Sequence, residues 1–151
     1  MNVNTWTIEK IKEILPQREP FLFIDRVISV DEAARKIIAG RKFTLDDFFF
    51  KGHFPGNPIV PGVIITEAMA QSGILLYHFL KPEISALHPN YYLGRTKFEF
   101  RAPVFPNDLL ILETTVIKLI DTAGILEGIA KVNENIVAKG EFAFGVKKKN
   151  A

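Results

Sequence analysis

An antiparallel sheet curled around one central helix, an α+β architecture, is predicted for this chain from three observations. A long apolar helical stretch occupies the middle of the sequence, strand-like segments flank it on both sides, and the last three of these segments are joined by tight turn signals as a meander. The helix is apolar on every side. A single sheet covers only part of such a surface, so the simplest cover for the rest is a second copy, and at least a homodimer is expected. The 151 residues fit one domain, taken as 1–151, because no linker, internal repeat or low-complexity segment divides them.

In chain order, Thr7 is placed to cap a short helix carrying Ile8, Ile11 and Leu15 on one face and ended by Pro16. Phe21 to Val30 (FLFIDRVISV) is aromatic and β-branched and reads as a strand, Asp31-Glu32 as a turn, and Ala34 to Phe43 as a second strand. Phe48, Phe49 and Phe50 follow as a local apolar plug. Lys81 to Asn90 has the composition of a loop or short helix, and Tyr91 to Arg101 resumes strand character. Leu109 to Ile120, Ile125 to Val132 and Ile136 to Val146 form the meander, with turns at Asp121-Thr122-Ala123-Gly124 and Asn133-Glu134-Asn135.

The stretch from Gly52 to Gln71, GHFPGNPIVPGVIITEAMAQ, organises the rest. Its three prolines and three glycines make a rigid, sharply bent loop able to hold the His53 side chain still. Pro61 suits the first helical position, and Lys81-Pro82 stops the helix near Leu80, giving a rod of roughly 20 residues and ~30 Å. At ~100° per residue, Gln71 lies ~40° and His78 ~20° round from Glu67, so the three form a narrow polar stripe. Glu67 and Gln71 at mid-helix argue against a membrane span. A carboxyl group buried here has a raised pKa, because desolvation outweighs the pull of the helix N-terminus.

Composition excludes several classes. There is no cysteine, which removes disulfides, thiol nucleophiles and Cys-based zinc sites, and His53, His78 and His88 show no metal-ligand spacing. A net charge of +2 is too mild to indicate nucleic acid. MNVNTWTIEKIKEIL lacks a charged segment followed by an apolar one, so a cytoplasmic location is expected.

The central motif, with LPQREPFLFIDRV upstream, resembles the 3-hydroxyacyl-[acyl-carrier-protein] dehydratases of bacterial type II fatty acid synthesis, in the branch with glutamate on the helix. The resemblance runs over roughly Ile11 to Phe144, as the turn and alternation signals do. It implies a hot-dog fold, dimers that assemble as trimers of dimers, no cofactor, and an acyl carrier protein as partner. It also implies dehydration of (3R)-3-hydroxyacyl thioesters to trans-2-enoyl thioesters. The family's catalytic histidine falls on His53 and its carboxylate on Glu67, each site combining one subunit's histidine with its partner's carboxylate.

Those residue types suit the reaction. A neutral imidazole removes the weakly acidic proton beside the thioester carbonyl, and a protonated carboxyl gives its proton to the departing hydroxyl. Backbone N–H groups of Gly62 and Val63 are placed to meet charge on the thioester oxygen, and Gln71 to orient Glu67 or a water. His78 and His88 read as structural, and Tyr91, Tyr92, Phe49 and Phe50 either line an acyl tunnel or fill the core. Arg95, Lys97 and Arg101 are the docking candidates for an acidic carrier. The chain departs from the family at Gln17, Thr96, Glu99, Ala102 and Asn107, all read as lying outside the chemistry. A hot-dog thioesterase and a non-catalytic acyl-thioester binding module are the alternatives, separated by thiol release and by turnover.

Overall fold

The computed structural model describes residues 6–149; the N-terminal reading above therefore falls partly outside it, on Met1 to Thr5. Helix α1 spans Ile8–Ile14, and the Thr7 hydroxyl accepts from the Lys10 N–H, which satisfies one of the helix's orphan donors. Strands β1 (Arg26–Asp31) and β2 (Lys36–Lys42) precede a short 3-10 helix, Phe48–Lys51. Helix α2 runs from Gly62 to Leu80, followed by the single turn α3 (Pro82–Ser85). Strands β3 (Asn90–Phe100), β4 (Leu109–Ile120), β5 (Ala123–Val132) and β6 (Asn135–Lys147) complete the chain.

All six strands form one antiparallel sheet in the order β1-β2-β4-β5-β6-β3. The sheet curls around α2, which packs against β2 to β6 and most extensively against β2 and β4. Residues 64, 65, 68, 69 and 71 to 77 of α2 are buried, as a helix apolar all round requires. Helix and sheet approach closely at Gly73, where a Cβ would stand 2.8 Å from the Phe142 ring. This is a hot-dog arrangement, and although α2 is long and apolar enough to cross a membrane, it is the core of the sheet.

The helix boundaries lie within one residue of expectation: Pro61 is the cap and Gly62 the first helical residue. The meander is present as expected, although its first turn is Asp121-Thr122 alone, since Ile120 pairs with Ala123. Asn133 and Glu134 both take positive φ in the second, as a two-residue hairpin turn demands. Asn107, where the resembled family commonly has glycine, has φ 74°, a conformation that asparagine tolerates.

One expected strand, Phe21 to Val30, is present only in its second half. Phe21 to Asp25 is extended and buried at Leu22, Phe23 and Ile24, but the strand begins only at Arg26. Side chains have taken over the backbone partners of this segment: the Gln71 amide bonds Phe23 N–H (2.8 Å) and Phe21 C=O (2.9 Å), and Arg41 donates to Leu22 C=O (2.6 Å). Phe49 and Phe50 are buried as a plug, Phe49 against Phe23 and Phe43 and Phe50 against Phe49, while Phe48 is exposed.

Candidate active site

His53 sits in the bent loop between the 3-10 helix and α2. Ile59 N–H donates to the His53 carbonyl (2.9 Å), Phe54 and Asn57 exchange backbone bonds, and Val60 N–H reaches Val104 C=O, so the loop is pinned at both ends. Gly56, at φ 71°, makes the reversal possible. The imidazole stacks on Phe54 at 4.0 Å, and its Nδ1 lies 2.9 Å from the Ile59 carbonyl. A carbonyl only accepts, so Nδ1 carries the proton. In the neutral ring Nε2 is then left as a free base.

Glu67 lies one turn and a half into α2, half-buried, with Gln71 Nε2 donating to its Oε2 (3.0 Å). The amide cannot turn over, because its Oε1 must accept from Phe23 N–H and its Nε2 must donate to Phe21 C=O. Burial raises the pKa of Glu67, and the Gln71 bond opposes this less strongly. A protonated Glu67 therefore keeps Oε2 as acceptor and carries its proton on Oε1.

The two groups do not share a cleft within one chain. His53 lines a cleft of about 460 Å³ with Ile59, Gly62, Phe100, Arg101 and Val104. Glu67 lines another of about 560 Å³ with Val63, Thr66, Thr96, Lys97 and Phe100. Phe100 is common to both and is the wall between them. The start of α2 lies at the same place: it has no side-chain cap, and while Ile64 and Ile65 donate back to Pro61 C=O, the Gly62 and Val63 N–H groups are left without a partner among the described residues. Gly62 carries no Cβ for a second reason, since one would stand 3.2 Å from the Phe100 ring.

The FabA-like domain model matches residues 15–141, most of the chain. The chain belongs to the FabA-like family. It is 47% identical, over 91% of its length and 94% of the relative's, to the 3-hydroxyacyl-[acyl-carrier-protein] dehydratase FabZ of Clostridium tetani. It is 42% identical, over 94% and 99%, to the FabZ of Caldicellulosiruptor bescii. Among solved structures it is similar to the dehydratase heterocomplex ApeI:P of Xenorhabdus doucetiae, with a TM-score of 0.75 at 15% identity over 93% of this chain and 91% of that one; at this distance the likeness is one of fold.

Of the residues this FabA-like chain was expected to use, Lys97 and Arg101 stand at the two clefts, one in each, while Arg95 is exposed on β3. Arg101 also pairs with Glu99 at 3.3 Å. Two of the departures read as lying outside the chemistry stand close to it: Thr96 lines the Glu67 cleft and Ala102 the His53 cleft. Sequence reasoning also missed Phe100, because β3 is an edge strand exposed along most of its length and has no burial period to mark an inward residue. Phe49, Phe50 and Tyr91 belong to the core, and Tyr92 is exposed; none of the four lines either cleft. His78 bonds Ser85 Oγ at 2.6 Å, away from Glu67. A larger cleft of about 630 Å³, lined by Lys12, Arg18, Ser85, His88, Tyr91 and Tyr92, contains neither His53 nor Glu67, so the two tyrosines stand apart from both reactive groups. No group of metal-ligating side chains occurs among the described residues.

Proposed function

We propose that this protein is a hydro-lyase that dehydrates (3R)-3-hydroxyacyl thioesters carried on acyl carrier protein to trans-2-enoyl thioesters in fatty acid synthesis, in the cytoplasm, with residues 1–151 acting as one hot-dog domain. The observation that carries the reading is the His53 tautomer, which leaves Nε2 as a base in a chain nearly half identical to a FabZ dehydratase. His53 Nε2 takes the proton from C2 of the substrate. The C–O bond at C3 breaks as the C2–C3 double bond forms, and the leaving hydroxyl takes the proton held on Glu67 Oε1, so enoyl thioester and water are released. Negative charge developing on the thioester oxygen is met by the free N–H groups of Gly62 and Val63. Proton return from His53 to Glu67 through solvent resets the pair.

The active unit is a dimer joined along β3, in which each site takes His53 from one protomer and Glu67 from the other. What supports this is the uncovered face of the protomer: β3 has no neighbour on its outer edge among the described residues, and Val63 (75% exposed), Leu93 and Phe100 lie open beside it. An apolar edge of this kind is covered in a stable protein. Lys97 and Arg101 at the two clefts, with Arg95 exposed nearby on the same strand, dock the acidic carrier, and Gln71 orients Glu67.

The test is the absorbance change on hydration of an enoyl thioester, carried either on acyl carrier protein or on coenzyme A. His53→Ala is expected to lower kcat at least ~10²-fold, the usual contribution of a positioned acid or base. A variant that still turns over at near the wild-type rate would remove His53 from the mechanism. Release of free thiol in place of hydration would make the protein a thioesterase.

A further inference from the structure

Arg41 is a buried cation that the proposed chemistry does not use. Only 8% of it is exposed, its guanidinium lies between the rings of Phe23 (5.7 Å) and Phe43 (5.2 Å), and its Nε has no hydrogen-bond partner among the described residues. An apolar side chain would fill such a site without the desolvation that a buried cation incurs. What the guanidinium does is join two segments that the sheet leaves unpaired. Nη1 donates to Leu22 C=O (2.6 Å), in the extended segment before β1, and Nη2 pairs with Asp47 (2.5 Å), whose other oxygen accepts from Thr44 N–H (2.9 Å).

Each segment leads to one of the reactive groups. Asp47 is the residue from which the 3-10 helix Phe48–Lys51 starts, and Gly52-His53 follows directly. Leu22 lies between Phe21 and Phe23, whose backbone groups are both held by the Gln71 amide, which also donates to Glu67. The rings reinforce the polar link, since Phe49 packs on both Phe23 and Phe43. Thus one continuous set of bonds runs from the carboxyl on α2, through Gln71 and the Phe21–Phe23 strap, to Arg41, Asp47 and the root of the imidazole loop.

We infer that Arg41 is a positioning residue that fixes the His53 loop through Asp47 while anchoring the strap that Gln71 shares with Glu67. Removing it lets the root of the loop move relative to the helix, and a displacement of ~1 Å at a reacting group is enough to lower a rate by ~10²-fold without changing the binding surface. The kinetic part of this inference rests on the dehydratase reading, whereas the placement of the His53 ring does not.

The test uses the full chain carrying Arg41→Met, Arg41→Lys or, as a comparator, Leu126→Ala, a truncation in the core of β5 away from the strap. Thermal midpoint, kcat, KM and the ring Cε1–H resonances of the three histidines are read for each. Arg41→Met is expected to lower kcat ~10- to 100-fold with KM held within about twofold, and to move the His53 resonance while leaving His78 and His88 in place. Arg41→Lys is expected to recover part of kcat, since an ammonium reaches Asp47 or Leu22 but does not fork between them. Leu126→Ala is expected to lower the midpoint but keep kcat. Unchanged kcat and an unmoved His53 resonance in Arg41→Met, or an equal loss of kcat in Leu126→Ala, overturns the inference. Should Arg41→Met not fold, Asp47→Asn breaks the same link at its other end with little change in shape, and the same two readouts decide. If the wild-type protein hydrates no enoyl thioester, the functional reading fails by itself, and the His53 resonance still decides the role of Arg41.

Discussion

Replacing Gln71 by leucine separates the two tasks that its amide performs. The residue is fully buried, and leucine fills nearly the same volume, so the change removes hydrogen bonds more than packing. Phe23 N–H loses its partner in a buried setting, which costs about 1–3 kcal/mol, while the Phe21 carbonyl lies near solvent and adds little. For a chain of this length that is a fall in Tm of about 2–10 °C. The second consequence is electrostatic. Gln71 donates to Glu67 and so favours its ionised form; without that donor the carboxyl pKa, already raised by burial, rises further. Glu67 acts as an acid, so activity falls as pH rises through its pKa, and the alkaline limb of kcat/KM is expected to shift upward in Gln71→Leu. A thermal melt and a pH–rate profile of the same sample measure both effects. An unchanged midpoint with an unchanged alkaline limb would show that the amide neither holds the strap nor tunes Glu67.

Three further outcomes are expected. Co-expressed His53→Ala and Glu67→Gln chains that pair at random form mixed dimers half of the time, each with one intact site of two, so about a quarter of wild-type activity is expected to return from two inactive parents; no recovery in isolated mixed dimers would place both groups of each site on one chain. Glu67→Gln alone is expected to raise Tm at alkaline pH and leave it near wild type in acid, because a carboxyl whose folded pKa is raised contributes stability below its ordinary range that is lost as pH rises through the raised value; a melt series that runs parallel to wild type contradicts this. His78 is lowered by burial, with Lys10 and His88 adding to the effect, so its contribution is present above the ordinary histidine range and lost as pH falls through the folded value. His78→Gln is accordingly expected to flatten the loss of stability as pH falls below the ordinary histidine range, and an equally steep curve would remove His78 as its source.

What was legible in the sequence follows from how local each cause is. Helix α2 was placed to within a residue because Pro61 and Pro82 act on their immediate neighbours, and the hairpins were placed because Asn133-Glu134 and Asp121-Thr122 bend the chain where they stand. Phe21 to Asp25 was misread as strand because the groups that take its backbone bonds, Arg41 and Gln71, are distant in sequence. The composition of that segment is that of a strand; only the fold shows that its ladder partners are side chains. His53 and Glu67 were identified from the motif, but the wall between them was not, since Phe100 lies on an edge strand with no alternation to read.

That wall has a chemical consequence. An imidazole and a carboxyl group in direct contact would exchange a proton and settle as an ion pair, with the carboxyl ionised and the ring protonated, and neither form can do its part in an elimination. Phe100 keeps the two groups of one protomer in separate clefts, Glu67 is held toward its acid form by burial, and Ile59 fixes His53 with its basic nitrogen free. A site assembled across two protomers can then bring the groups to opposite ends of a reacting C2–C3 bond, with the substrate lying between them in place of a salt bridge. On this argument Phe100→Ala, which opens one cleft into the other, is expected to lower kcat and to move the alkaline limb of the pH profile downward, as Glu67 gains contact with water and its pKa falls back toward the ordinary carboxylate range. A pH profile that keeps its wild-type alkaline limb in that variant would refute the role given to the wall.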